Sequence, residues 1–180
     1  KFRNRLMLPV IDTRGDVVGF GSRVLDKSEP KYMNSSETPV YSKRRVLYGL
    51  NLAKKSKRPN IILCEGNLDI VTLHQAGFDN AVASMGTALT VEQTRLLSRF
   101  TKELVLCYDN DNAGKIATER ALQILNGSEF SVKVLQLPRR LVDGEYIKQD
   151  ADDFIKLQGP DAFERLLNGS ENGVEFRMAQ

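Results

Sequence analysis

From residue 61 onward, short apolar runs alternate with helix-forming segments, and three of these strands lead to acidic residues. Ile61-Ile62-Leu63-Cys64 leads into Glu65-Gly66-Asn67-Leu68-Asp69. Leu104-Val105-Leu106-Cys107-Tyr108 leads into Asp109-Asn110-Asp111, and Asp150-Ala151-Asp152-Asp153 lies downstream of Val132-Lys133-Val134-Leu135. In an open α/β sheet the carboxyl ends of the strands form the ligand crevice. Carboxylates gathered there repel one another unless cations sit among them. Hard cations such as Mg²⁺ take oxygen ligands and fill the rest of their shell with water and substrate phosphates. The pattern points to metal-dependent phosphoryl-transfer chemistry.

The remaining elements follow from local signals. Helices are expected near 68–76, ending at Gly77, and after Thr90, with Gln93 as its capping-box partner. A third helix is expected from about Ala113 to Leu125, with Ile116, Ala117, Ala121, Ile124 and Leu125 on its apolar face. Strands are expected at 81–84, 104–108 and 131–136, and short helices at 152–157 and 161–167. Strands alternating with helices argue for a parallel sheet with right-handed crossovers. Residues 1–50 read differently. Met7-Leu8-Pro9-Val10 and Val17-Val18-Gly19-Phe20-Gly21 flank a turn around Gly15, a hairpin signal. Asp26 to Ser42 reads as a long loop of the kind that carries function. The fold class is therefore α/β, a parallel sheet flanked by helices and preceded by a small antiparallel β lobe. Lys54 to Pro59 is the expected boundary, which gives a lobe over 1–58, a sheet domain over 59–168 and a frayed tail over 169–180.

Composition narrows the function classes. The 180 residues are enough to bury a sizeable core, and no apolar run approaches the roughly 20 residues of a membrane helix. No secretory segment is visible near the start, and the chain is expected to be an excised fragment. Cys64 and Cys107 read as small buried apolar residues in a reducing compartment, and no Cys/His cluster marks a zinc site. Residues 1–60 hold 14 Lys and Arg against 5 Asp and Glu, whereas residues 61–180 hold 12 against 18. This asymmetry suggests a nucleic-acid surface beside an acidic site, although a solvated basic face would look the same.

Each acidic motif also has a purely structural reading. Asp69 in a first helical turn and Asp150 ahead of a helix could be caps alone. A lone Asp-x-Asp occurs in receiver domains and in haloacid-dehalogenase-like phosphatases, and could also be a turn. Glu65, right after a buried strand, is harder to explain that way. Ser84-Met85-Gly86-Thr87-Ala88 reads mainly as a glycine turn, with a backbone lining beside the site as the alternative, and His74 is given no catalytic role.

Taken together, Glu-Gly-x-x-Asp, a strand with a Gly-Thr-Ala turn, Asp-x-Asp-x-Ala-Gly and a further Asp-x-Asp resemble the Toprim domain. The first half narrows the resemblance. Phe2-Arg3-Asn4-Arg5, Gly19-Phe20-Gly21-Ser22-Arg23, Lys31 through Thr38, Lys43 and Leu47-Tyr48-Gly49-Leu50 resemble the RNA-polymerase core of bacterial DnaG-type primases. The resemblance covers residues 1–168. It implies that Glu65, Asp109 and Asp111 are catalytic acids that also bind metal. It implies that Asp69, Asp150 and Asp152 are further metal-site acids. Arg3, Arg23, Lys31, Tyr32, Asn34 and Lys43 would bind nucleic acid and nucleotide. The implied cofactor is Mg²⁺ or Mn²⁺, with no zinc in this fragment.

The implied partners are a single-stranded DNA template, ribonucleoside triphosphates and, through a domain outside this chain, a replicative helicase. The implied setting is a cytoplasmic bacterial replisome with no membrane, and the chain is expected to be monomeric. The implied activity is primer synthesis, expected to be weak or absent in the isolated fragment. Other Toprim chemistries, topoisomerase or nuclease, and a silent nucleic-acid-binding module are the alternatives. A topoisomerase needs a tyrosine nucleophile, and no motif marks Tyr108 or Tyr146. The sequence departs from the family pattern at Asn67, Asn110, Ala151 and Ser22. Asn110 is expected to hold a left-handed turn in place of glycine, and Ala151 to loosen the third loop.

Overall fold

A computed structural model describes residues 2–173 of the chain. Strands β1 (Arg5–Ile11), β2 (Val17–Val24) and β3 (Tyr32–Asn34) form an antiparallel sheet in that order. Asp12 shapes the β1–β2 turn, its carboxylate accepting the N–H groups of Arg14, Gly15 and Asp16. The segment 26–42 therefore contains a strand, and is not loop throughout. β3 forms because its three residues pair with Gly21, Ser22 and Arg23 of β2, a tertiary pairing that local sequence does not announce.

After the short helix α1 (Leu50–Ala53) comes the parallel sheet: β4 (Ile61–Cys64), β5 (Ala81–Ala83), β6 (Glu103–Leu106) and β7 (Ser131–Val134). The sheet order is β5-β4-β6-β7. Helices α2 (Asn67–Gln75), α3 (Val91–Leu97) and α4 (Asn112–Leu125) make the crossovers. The chain leaves β4 toward one edge and β6 toward the other. The topological switch point therefore lies between β4 and β6, where open α/β sheets bind their ligands.

Side chains alternate across this sheet. Ile61, Leu63, Leu104 and Leu106 pack with Leu97, Leu122 and Leu125 on one face. Ile62, Cys64, Val105 and Cys107 pack on the other with Ile70 and Leu73, and with Phe154 and Phe163 of α5 (Ala151–Gln158) and α6 (Pro160–Asn168). Both cysteines are buried and free, as expected. No helix among the described residues is long and apolar enough to cross a membrane.

The lobe is fastened to the sheet. Tyr48 exchanges two backbone hydrogen bonds with Ala83, at 2.9 and 3.0 Å. Leu47, Leu50 and Ala53 are buried in the same cluster as Leu63 and Val82. The Thr90–Gln93 capping box forms as expected, and the Gln93 amide also reaches the carbonyls of Lys43 and Val46 at 2.9 Å each.

Three further expectations are corrected. The buried stripe of α4 is Gly114, Thr118, Ala121, Leu122 and Leu125, and Ile116 faces solvent. The helix is turned this way because Gly114 lies directly on the backbone of Asp109, where a Cβ would come within 1.9 Å of the carbonyl oxygen. A hairpin unforeseen in the sequence, β8 (Arg140–Val142) with β9 (Glu145–Ile147), precedes α5. Finally, β10 (Glu171–Asn172) pairs antiparallel with β7, so those two residues are not frayed. The rest of the expected tail, 174–180, lies outside the described residues.

Candidate active site

β4 and β6 each end at the switch point, and the next residues carry carboxylates. Glu65 follows β4, and the Asp109 backbone N–H points to its Oε1 at 3.4 Å. Asp111 caps α4, its carboxylate accepting the Gly114 N–H at 2.8 Å. Asp69 lies in the first turn of α2. Its oxygens accept the N–H of Gly66 at 3.2 Å and the N–H of Asp152 at 3.1 Å. Asp150 caps α5 through the Asp153 N–H at 2.8 Å. Asp152 accepts the Thr72 hydroxyl and pairs with Lys156 at 2.6 Å.

A cleft of about 410 Å³ opens here. Glu65, Asp69, Asp109 and Asp150 line its sheet side, and Lys31, Tyr32 and Asn34 of the lobe line the other. An adjoining recess of about 150 Å³ gathers Arg23, Lys31 and Tyr32 with Asp69, Asp150, Asp152 and Asp153. The Lys31 ammonium lies 5.5 Å from the centre of the Tyr32 ring and the Arg23 guanidinium 6.0 Å. Arg3 and Lys43 line neither space. A separate hollow of about 360 Å³ lies beside Arg95, Lys102 and Phe130. Its single carboxylate, Glu129, is already paired with Lys102.

The acids divide by environment. Burial, reinforced by the charge of Asp150, pushes Asp69 up to about 7, against the pull of the Asp152 and Gly66 N–H groups. Burial raises Glu65, with repulsion from Asp109 adding to it. Burial likewise raises Asp150. Asp111 moves down, held first by the Gly114 N–H and then by Lys148. The Lys148 ammonium stands 3.2 Å from Asp109 Oδ2 and 3.1 Å from Asp111 Oδ2.

The donor set suits a hard cation, because every candidate ligand is a carboxylate oxygen. Asp150, Asp152 and Asp153 offer oxygens within 4.8 Å of one another, close enough to share one ion. Asp109 and Asp111 are instead bridged by the lysine. Tyr108 is sealed in the core, and burial holds its hydroxyl far above the usual phenol range, unlike an accessible nucleophile.

Residues 62–155 match the family model described as Toprim-like, and residues 1–54 match the model of the DNA primase catalytic core, N-terminal domain. The chain belongs to the Toprim-like family, as the catalytic-core segment of a DnaG-type primase. It is 44% identical to the DNA primase of Clostridium acetobutylicum across 99% of this chain and 29% of that protein. It is 41% identical to the Haemophilus influenzae DNA primase across 99% of this chain and 30% of that protein. The chain thus spans less than a third of these curated relatives. Among solved structures, a DNA primase domain from Pseudomonas aeruginosa superposes with a TM-score of 0.88 at 37% identity, covering 100% of this chain and 56% of that one. A DnaG primase catalytic domain bound to ssDNA gives 0.87 at 37% identity, covering 99% and 56%.

Several residues of this primase core escaped the sequence reading. Lys148 could have been placed by the Asp143-Gly144 pair between two β-prone runs, a two-residue hairpin signal. Both residues have positive φ, 52° and 84°. Asp153 stands beside Asp152 in sequence, and only the fold brings it to the cleft. Thr72 had no local signal, whereas segment 84–88 carried the alternative of a backbone lining beside the site, and that alternative holds. Met85 lines the cleft, and its carbonyl accepts the Asn34 amide at 3.1 Å.

Two family departures behave differently from expectation. Asn110 is not in a left-handed conformation. Its side-chain amide instead donates to the Leu137 carbonyl at 2.5 Å, which fixes the loop from outside. Ala151 is buried, and the third loop is held by the Asp150 cap and by the Asp69–Asp152 contact. Ser22 donates to the Met33 carbonyl between β2 and β3.

Proposed function

We propose that this chain is the nucleotidyl-transfer core of a primase that makes short RNA primers on single-stranded DNA. The observation that carries this reading is the cleft itself. Acids at the switch point of a parallel sheet face a basic and aromatic strand from a second sheet, so a metal-held triphosphate and a nucleic-acid strand fit side by side. The relatives named DNA primase and the neighbour described as bound to ssDNA support it.

In this reading Asp109 and Asp111 hold the principal ion, with Glu65 as a further ligand or as the general base. Asp69, Asp150 and Asp152 support a second ion beneath the triphosphate, and Mg²⁺ or Mn²⁺ suits both positions. Bound metal supplies charge neutralisation on the phosphates and lowers the pKa of the attacking ribose 3′-hydroxyl. The chain's own contribution is positioning. Arg23 and Lys31 meet phosphates of the template or nucleotide, and their contacts are salt-sensitive. Tyr32 offers a stacking face that tolerates any base. Asn34, tied to Met85, fixes the lobe edge beside the cleft. Arg3 and Lys43, outside the cleft, extend the basic surface along the path of the strand.

The division into a lobe (1–58), a Toprim unit (59–168) and a tail (169–180) belongs to the same proposal. So do a monomeric state, a cytoplasmic replisome and contact with a replicative helicase through another part of the full protein. Asp109→Ala or Asp111→Ala in the full-length protein is expected to lower primer synthesis by about a thousandfold or more, the scale of losing several kcal/mol of transition-state stabilisation. Wild-type primer yield from either variant would remove the assignment. Strand cleavage without nucleotide incorporation would favour a nuclease or topoisomerase instead.

A further inference from the structure

We propose that Lys148 is an exchangeable counter-cation: it neutralises Asp109 and Asp111 while no divalent ion is bound, and passes to a nucleotide phosphate when an ion takes those carboxylates. The inference rests on the reading that these two acids hold metal.

The geometry is specific. One ammonium lies nearly equidistant from one oxygen of each aspartate, at 3.2 and 3.1 Å. The two carboxylates belong to a single turn, and the backbone cannot separate them, because Asp111 is committed to capping α4. Without a nearby cation they would face each other across that turn. Lys148 alone supplies this charge among the described residues, since no other salt bridge reaches either acid.

The lysine is also built to leave. It directly follows β9, on a hairpin whose Glu145, Tyr146 and Ile147 are all exposed. Its own side chain is 56% exposed. Moving the ammonium a few ångströms therefore unpacks nothing in the core. An exposed pair of this kind is weak, so a dication that takes the same carboxylate oxygens outcompetes it. Once displaced, the ammonium is still tethered at the rim of a cleft that Lys148 itself lines with Lys31 and Asp109. The charge there has changed from two carboxylates to carboxylates plus dication. The anion that arrives with such an ion in phosphoryl transfer is a polyphosphate, and an ammonium binds it as a point charge.

The test uses Lys148→Met, which keeps the aliphatic stem and removes the charge. Asp111→Asn serves as a control. Mn²⁺ alone is titrated by calorimetry, and ATP is titrated in saturating Mn²⁺. The expected result has opposite signs: Lys148→Met binds Mn²⁺ about fivefold more tightly, because the internal competitor is gone, and binds ATP about fivefold more weakly. A purely structural lysine would move both affinities the same way or neither. Unchanged or weaker Mn²⁺ binding in Lys148→Met, while the parent binds and Asp111→Asn does not, overturns this inference and leaves the metal reading standing. Tighter Mn²⁺ binding with unchanged ATP binding overturns the hand-over to phosphate. If neither the parent nor Asp111→Asn binds Mn²⁺, the metal reading falls and takes this inference with it.

Discussion

The two halves of the acidic site use the same side chain in opposite ways. At the starts of α2 and α5, Asp69 is buried and Asp150 half-buried, and with Glu65 they hold their protons more tightly than free carboxylates do. At the β6–α4 corner Asp111 is open, backed by a helix N-terminus and a lysine, and holds its proton less tightly. A carboxylate needs its charge offset from somewhere. Asp69 takes it from a proton and two backbone N–H groups, and Asp111 from the Gly114 N–H and an ammonium. A cluster of acids is therefore not one electrostatic object. Each half has its own resting state, and each must give up something different to receive a cation.

The comparison can be broken most decisively at Asp69. In EDTA the folded chain binds a proton at Asp69 up to about pH 7, whereas the unfolded chain releases it near 3.8. The folded-state pKa is raised, so the favourable contribution is complete below the unfolded value and is lost as pH rises through 7. Urea denaturation should show the parent losing up to roughly 4 kcal/mol from this group between pH 4 and 8, and Asp69→Asn should lack that slope. Parallel pH profiles for the two proteins would mean that the deep half is not proton-neutralised.

Next in size is Gly114→Ala, which strikes the shallow half through the backbone. A methyl group there would overlap the Asp109 carbonyl. A cost of about 3 kcal/mol is expected, read as a fall of about 10 °C in thermal midpoint, together with weakened Mn²⁺ binding. An unshifted midpoint would show that the corner yields. Asp111 separates structure from charge. Asp111→Ala should cost about 1 kcal/mol by removing a helix cap, and Asp111→Asn should restore most of that stability. Recovery of Mn²⁺ binding in the same Asn variant would argue that the cap, not the charge, is what the site needs. A change of similar size is Thr72→Val, which removes the hydroxyl from Asp152. It should cost about 1 kcal/mol in urea denaturation. No change at all would mean that Asp152 is oriented by Lys156 alone.

Much of this was legible in the sequence because it is written locally. The strands at 61–64 and 104–106 read as apolar runs, and the Thr90–Gln93 box and the Gly77 stop read as punctuation. Acids right after strands read as a site because parallel topology gathers strand ends at one edge. What escaped depends on pairing or packing at a distance. β3 exists only through its register with β2. The face of α4 is set by how closely Gly114 sits on Asp109. The proton affinities come from burial, which motif spacing does not encode. Lys148 was readable in principle through Asp143-Gly144, but its meeting with two acids some 40 residues earlier was not.

Gly21 lies on β2 of the lobe, and a Cβ there would sit 2.2 Å from the amide nitrogen of Asn67, in the first turn of α2. A methyl group there would push the Asn67 side-chain amide aside, so lobe and helix meet here through a movable side chain and not through backbone. The strand that carries Arg23 and the helix that carries Asp69 are therefore spaced by that amide, which can turn to take up a small shift between them.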